Sequence, residues 1–282
     1  MAQVRIITDS GAYLPDPSII RRYQVEVLPL VVQVSGQTYQ ERINQTDEAF
    51  LRRMAQNNKD VSVQPPTLSQ AQAIFARVGQ STDSIVCIHT SSALHDVAKI
   101  SERASRNFMG RQRIIVLDSL TTSIGLGLIV DAAAKAASDG ASQVEVVKIV
   151  RSMIPRIYAL FLSDSLTYLE AWGRLSPAQT MLGSMLGLRP ISTMEDGDVI
   201  PVEKVRNYTQ AIDKLYEFIV EFSRIRQLYL VQHDLNSEAA QLLERLEIAF
   251  PNRDFPVIGY PPSLAVHIGP RALGIVVYED SV

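Results

Sequence analysis

Short apolar runs alternate with helix-length amphipathic segments through the first 140 residues, and this rhythm constrains the fold more than any other feature. Val4–Ile7 is closed by Thr8-Asp9-Ser10-Gly11, and a strand over 83–89 ends in Thr90-Ser91-Ser92. Arg113–Leu117 is closed by Asp118-Ser119. Helical periods follow at Thr67–Val78, at Ala93–Phe108 and, after Ser123, to about Ser138. Strand, helix and strand in this order predict a parallel sheet covered by helices. Val25–Val34 is interrupted by Pro29, so it reads as an edge or irregular strand, and Thr46 is placed to cap a helix reaching Gln56.

The rhythm changes past residue 140. Gln143–Tyr158 reads as a helix, Tyr158–Leu162 as a strand and Leu166–Gly187 as a helical hairpin, with Ser176 as N-cap and Pro177 in its first turn. Asp196-Gly197 between two strand-like runs predicts a β-hairpin. Asn207–Arg226 and Ser237–Phe250 read as helices, and Gln227–Gln232, Pro256–Tyr260 and Leu273–Tyr278 as strands. The chain thus divides into an N-terminal α/β domain with a parallel sheet (residues 1–145) and a C-terminal α+β domain (residues 146–282), the softest linker being Gly140-Ala141-Ser142.

Composition removes several classes of function. With 27 basic against 30 acidic residues the formal charge is −3, which gives no basic field for nucleic acid. The lone Cys87 excludes an internal disulfide and a thiolate zinc site. No run of 18 apolar residues occurs, and the opening lacks a charged segment followed by an apolar one. A cytoplasmic protein without stable membrane insertion is expected. There is no phosphate loop, and Gly125-x-Gly127 lies within a helical period without a third glycine. The four histidines show no metal-ligand spacing, and no serine elbow is present. No metal, cofactor or catalytic residue is assigned.

Several strand ends carry small hydroxyls. In a parallel sheet this edge lines the ligand crevice, and hydroxyls there can donate to an anion. Asp and Ser also favour turns and caps for local reasons alone. His267 stands just before Gly269-Pro270, and Lys204-Val205-Arg206 follows the predicted hairpin.

In order along essentially the whole chain, these segments resemble the DegV family of bacterial fatty-acid-binding proteins. Ile7-Thr8-Asp9-Ser10 with Leu14 is similar to the opening T-D-S-x-x-x-L, and Ser62-Val63-Gln64-Pro65 to T-S-Q-P. Ser91-Ser92-Ala93-Leu94 resembles S-S-x-L, and Val116-Leu117-Asp118-Ser119 resembles V-x-D-S. Leu169–Leu175 resembles Y-L-x-x-G-G-R-I, Leu188–Ile191 with Lys204–Arg206 resembles K-P-I…K-x-R, and His267–Gly274 resembles H-x-G-P-G-A-L-G.

The resemblance implies a two-domain DegV-like α/β fold that binds a long-chain fatty acid such as palmitate or oleate in an apolar tunnel between the domains. It implies that a separate fatty acid kinase converts the presented carboxylate to an acyl phosphate, so that this chain is a carrier rather than an enzyme. Carried over by position, Ser62, Ser91, Ser92 and His267 would contact the carboxylate. Arg206 would lie at the mouth or on the partner surface. Leu169, Trp172, Met181, Leu182 and Met185, on a hairpin near residues 165–188, would line the tunnel or form its lid. The departures are Val63 for a serine, His95-Asp96-Val97 for S-G-T, Trp172 for the first glycine of G-G-R, and Arg271 for a glycine. They keep two other readings open: the same scaffold holding a different apolar anion, or a small-molecule enzyme using Ser, Asp and His at strand ends.

Overall fold

A computed structural model describes residues 3–45, 48–56 and 61–280. The N-terminal part runs β1 (Arg5–Asp9), α1 (Ile19–Arg22), β2 (Glu26–Leu28), β3 (Val31–Val34), β4 (Gln37–Gln40), α2 (Glu48–Gln56), β5 (Val61–Gln64), α3 (Leu68–Val78), β6 (Ser84–His89), α4 (Val97–Ser105), β7 (Arg113–Asp118), α5 (Ser123–Ser138) and α6 (Gln143–Met153). Strands β2-β1-β6-β7 form the expected parallel sheet. Every residue of β6 is buried, as a central strand covered on both faces requires.

Pro29-Leu30 breaks the long apolar run into β2 and β3, which belong to different sheets. β3 pairs antiparallel with β4 and β5 in a separate three-stranded sheet. The turn at Gly36 and the short strand near Tyr39 are legible in the sequence, but the pairing with β5 is not, because β5 joins from beyond α2. Thr46, expected as the cap of α2, lies outside the described residues.

The C-terminal part runs β8 (Ile157–Ser163), α7 (Thr167–Ala171), α8 (Pro177–Met185), β9 (Arg189–Glu195), β10 (Asp198–Val205), α9 (Tyr208–Val220), β11 (Ile225–His233), α10 (Asn236–Ala249), β12 (Val257–Ile258), α11 (Pro262–Ile268) and β13 (Ala272–Glu279). Its sheet has the order β10-β9-β8-β13-β11-β12, antiparallel apart from the last pair. Asp196 and Gly197 both take positive φ at the β9–β10 turn, as a two-residue hairpin demands.

The helix expected over Gln143–Tyr158 ends at Met153, and Pro155 lies in the 3-10 turn that leads into β8. The expected boundary at 145/146 falls inside α6. That helix packs on the first sheet: Gln143 Nε2 donates to the carbonyls of Ile85 at 2.9 Å and Arg113 at 2.6 Å. The chain passes to the second sheet at Ile154–Arg156. α5 is buried along most of its length and contacts strands of both sheets, so one apolar core joins the two parts. Among the described residues no helix is long and apolar enough to cross a membrane.

Candidate functional site

The helix α11 decides where the site lies. Its sequence, Pro-Ser-Leu-Ala-Val-His-Ile, is buried at every position. Proline in the first turn starts it without wasting an N–H, and Gly269 at φ +93° ends it. The sequence reading missed this helix, since a turn all round apolar shows no amphipathic period. α11 packs against α2, β5, α7 and β8, so it stands where the small sheet meets the second domain. A Cβ at Gly269 would come within 2.8 Å of the Tyr168 ring, so glycine also permits close approach there.

His267 in the last turn is 2% exposed. Its ring lies 4.3 Å from Trp172 at 35° and 5.1 Å from His95 at 48°, measured between centroids. Trp172 is fixed by its indole N–H, which donates to the Val266 carbonyl at 2.9 Å. Neither ring nitrogen of His267 has a hydrogen-bond partner among the described residues. A neutral imidazole carries one donor and one acceptor, so two polar atoms are buried unsatisfied. Burial, then the neighbouring His95 and Arg174, push its pKa well below the ordinary imidazole value. Arg174 in turn is ion-paired with Asp198, through its Nε at 3.1 Å.

His95 reaches the cluster from the turn after β6. Its N–H and that of Leu94 both donate to the Ser91 carbonyl at 3.0 Å. Its Nε2 meets the Ser263 carbonyl at 3.3 Å, and burial lowers its pKa to about 4.

A buried carboxyl stands behind these rings. Glu41 accepts from the Ser263 N–H at 2.6 Å, the Ser263 hydroxyl at 3.1 Å and the Ser10 hydroxyl at 3.0 Å. Burial pushes its pKa up to about 8 in spite of those bonds. It ties the start of α11 to the end of β1. A lone Glu after a short polar strand carries no sequence signal for this role.

A second network holds the sheet edge. Asp9 accepts from the Thr90 N–H at 2.8 Å, the Thr90 hydroxyl at 2.6 Å and the Gly11 N–H at 3.0 Å. It also pairs with His89 Nδ1 at 3.1 Å, while His89 Nε2 meets the Ser101 hydroxyl at 2.8 Å. Burial alone would raise its pKa, but the His89 and Thr90 bonds hold it below the ordinary value. Ser101, His89 and Asp9 have the residue types of a hydrolase triad, yet all three have 0% exposure. A nucleophile must reach its substrate, so this arrangement serves packing of the strand ends.

The candidate residues separate into groups. Ser91 is buried at the turn that carries His95, and a Cβ at Gly197 would fall on its hydroxyl, so glycine lets the β9–β10 tip pack close beside it. Ser92 is half-buried, and its hydroxyl and N–H both bond to Asp118 Oδ2. Ser62 is exposed on β5, and the inward neighbour is Val63, packed on the core. The period-two alternation of the strand therefore turns Ser62 to the side opposite Val63, away from the core. Arg206 is exposed, with its N–H on Gln210 and its carbonyl receiving Arg189.

Leu169 and Trp172 pack on the core. Met181, Leu182 and Met185, expected to line the tunnel or form its lid, are 66%, 63% and 73% exposed on the outer face of the hairpin. The inward face of α8 is Thr180 and Gly183, small enough to seat the helix on Leu166, and this turns the large side chains outward. Among the described residues no three His, Cys, Asp or Glu side chains converge as metal ligands.

Fold and site together define a two-part α/β protein with uncharged imidazoles enclosed where its layers meet. The sequence matches the family described as "Uncharacterised protein, DegV family" over residues 3–280. The chain belongs to the DegV family. Protein DegV of Bacillus subtilis is 28% identical over 276 residues, covering 96% of this chain and 98% of that one. The crystal structure of the B. subtilis DegV, described as a fatty acid binding protein, superposes with a TM-score of 0.82 at 25% identity, covering 99% and 100%. A fatty acid binding DegV family protein from Streptococcus agalactiae gives 0.87 at 21% identity, covering all of both chains. The Streptococcus pneumoniae Fatty Acid Kinase B3 protein, solved loaded with linoleic acid, gives 0.81 at 20% identity, covering 99% and 100%.

Proposed function

We propose that this chain holds a long-chain fatty acid, of the palmitate or oleate class, with its carboxyl group at His267 and its tail along apolar side chains between the two parts. The single observation that carries this reading is the pair of unsatisfied nitrogens on a buried imidazole. An orphaned donor and acceptor in an apolar wall are costly unless a ligand completes them. A carboxyl group fits, because one oxygen can accept from the ring N–H. The Ser91 hydroxyl, on the turn that carries His95, is a second donor for it.

The tail supplies the affinity. About fifteen methylenes at roughly 0.8 kcal/mol each give about 12 kcal/mol gross, from which association and ordering remove several kcal/mol or more. Trp172 stands beside His267 as the wall for the first part of that tail, and Leu169, on α7, belongs to the same apolar core. The chain acts as a carrier with no resident cofactor, working in the cytoplasm. A separate fatty acid kinase transfers the terminal phosphoryl group of its nucleotide to a carboxylate oxygen, giving an acyl phosphate and the nucleoside diphosphate. Arg206, exposed beside the β10–α9 junction, belongs to the surface offered to that kinase.

Mass spectrometry of the organic extract from protein purified without added lipid tests the reading. One fatty acid at near-stoichiometric amount is the expected result. An extract without lipid, from protein that also fails to load palmitate or oleate, would overturn it.

A further inference from the structure

We infer that His95 is a second head-group ligand, so that His95 and His267 grip the carboxyl group as a pair of imidazoles and loading takes up a proton. The inference rests on the fatty-acid reading and adds a recognition residue to it. Three observations carry it. The two rings are neighbours, with centroids 5.1 Å apart and planes tilted by 48°, and both are enclosed, at 6% and 2% exposure. His95 is tethered by its backbone to Ser91. Its Nε2 is directed at the Ser263 carbonyl, which can only accept.

That last bond fixes the chemistry. Nε2 must carry the hydrogen, so Nδ1 of the neutral ring bears a lone pair. A lone pair and a carboxylate oxygen repel. They meet only with one proton between them, placed on the imidazole or brought in on the acid. The groups acting on the two rings from the surrounding elements are Asp9, Glu41 (through Ser263), Asp96 and Arg174. Asp96 lies on the exposed side, and Glu41 is pushed toward its neutral form by burial. A cargo anion is therefore the charge that changes on loading, and the ring facing it takes the proton.

Two substitutions separate the nitrogens. His95→Gln keeps a donor in the place of Nε2 and removes Nδ1. His95→Asn puts a neutral donor in the place of Nδ1. Binding of oleate and of oleyl alcohol, which has the tail without the carboxyl group, is measured by calorimetry in buffers of different ionisation enthalpy. His95→Gln is expected to lose about tenfold or more in oleate affinity with the alcohol unaffected. His95→Asn is expected to recover most of that loss while proton uptake falls from about one to near zero. Oleate affinity of His95→Gln within about twofold of the unmodified protein, or uptake unchanged in His95→Asn, would overturn the inference.

Nitrogen-15 spectra of the unmodified protein give the same answer without any variant. The His95 Nδ1 resonance should move on adding oleate and stay on adding the alcohol. If the unmodified protein binds oleate with His95 silent, this inference alone fails. If it binds neither lipid, the fatty-acid reading fails with it.

Discussion

His267 stacks on Trp172 with 4.3 Å between ring centroids, and the contact holds the imidazole in place without satisfying either of its nitrogens. The indole is anchored one residue away, on the Val266 carbonyl, so the pair moves with α11 as a unit. The polar atoms are thus presented in a fixed position, and the helix is less stable for it. On the fatty-acid reading, this is the cost of a site held ready for an anion.

His267→Phe follows from that relationship. The variant keeps the stack and removes two unsatisfied buried polar atoms, so the ligand-free protein should gain about 1 kcal/mol or more, read by chemical denaturation. Oleate binding should weaken by roughly tenfold to a hundredfold. A variant that is less stable and binds oleate unchanged would contradict both parts.

Glu41 sets a pH limb. Its folded value of about 8 lies above the ordinary 4.5, so the folded protein keeps a proton that the unfolded chain releases. Stability conferred by the proton is complete below 4.5 and is lost as pH rises toward 8, at up to about 1.4 kcal/mol per unit. His95 acts in the opposite sense: its folded value of about 4 lies below 6.5, and stability is lost as pH falls through that interval. Glu41→Gln should flatten the limb between pH 5 and 8, with the advantage over the unmodified protein growing toward pH 8. Parallel melting curves for the two proteins across that range would refute the assignment.

Asp9→Ala should be severe. It leaves His89, the Thr90 hydroxyl and two backbone N–H groups without their acceptor in a fully buried place. A loss of about 3–5 kcal/mol is expected from denaturant titration. A loss below about 1 kcal/mol would mean that the network is not needed to hold the strand ends.

The two faces of the hairpin should respond differently. Leu169→Ala removes a side chain that is 1% exposed and should cost about 2–5 kcal/mol. Met185→Ser changes a side chain that is 73% exposed and should stay within about 0.5 kcal/mol. Comparable losses for both, measured by thermal melting, would place Met185 in a packed interior after all.

Much of the fold was legible because its signals are local. The caps at Thr67 and Ser176 mark helix starts, and Asp196-Gly197 marks the hairpin. Strand β6 reads as a continuous apolar run because both its faces are covered. What stayed hidden depends on distant partners. Glu41 meets Ser263 from the far end of the chain, and α11 looks like an apolar turn until four other elements enclose it. Ser62 and Val63 show the limit most plainly: neighbours in a motif face opposite ways on a strand, and only the sheet says which way is in.

The most direct test of the account is a crystal structure of the protein loaded with palmitate. The account predicts a carboxyl oxygen within about 3.2 Å of a His267 ring nitrogen, with the tail leading away past Trp172 and Leu169. A carboxyl group seated instead in the cavity of about 320 Å³ beside Asp164, Tyr168, His233 and Arg271, leaving His267 untouched, would contradict it.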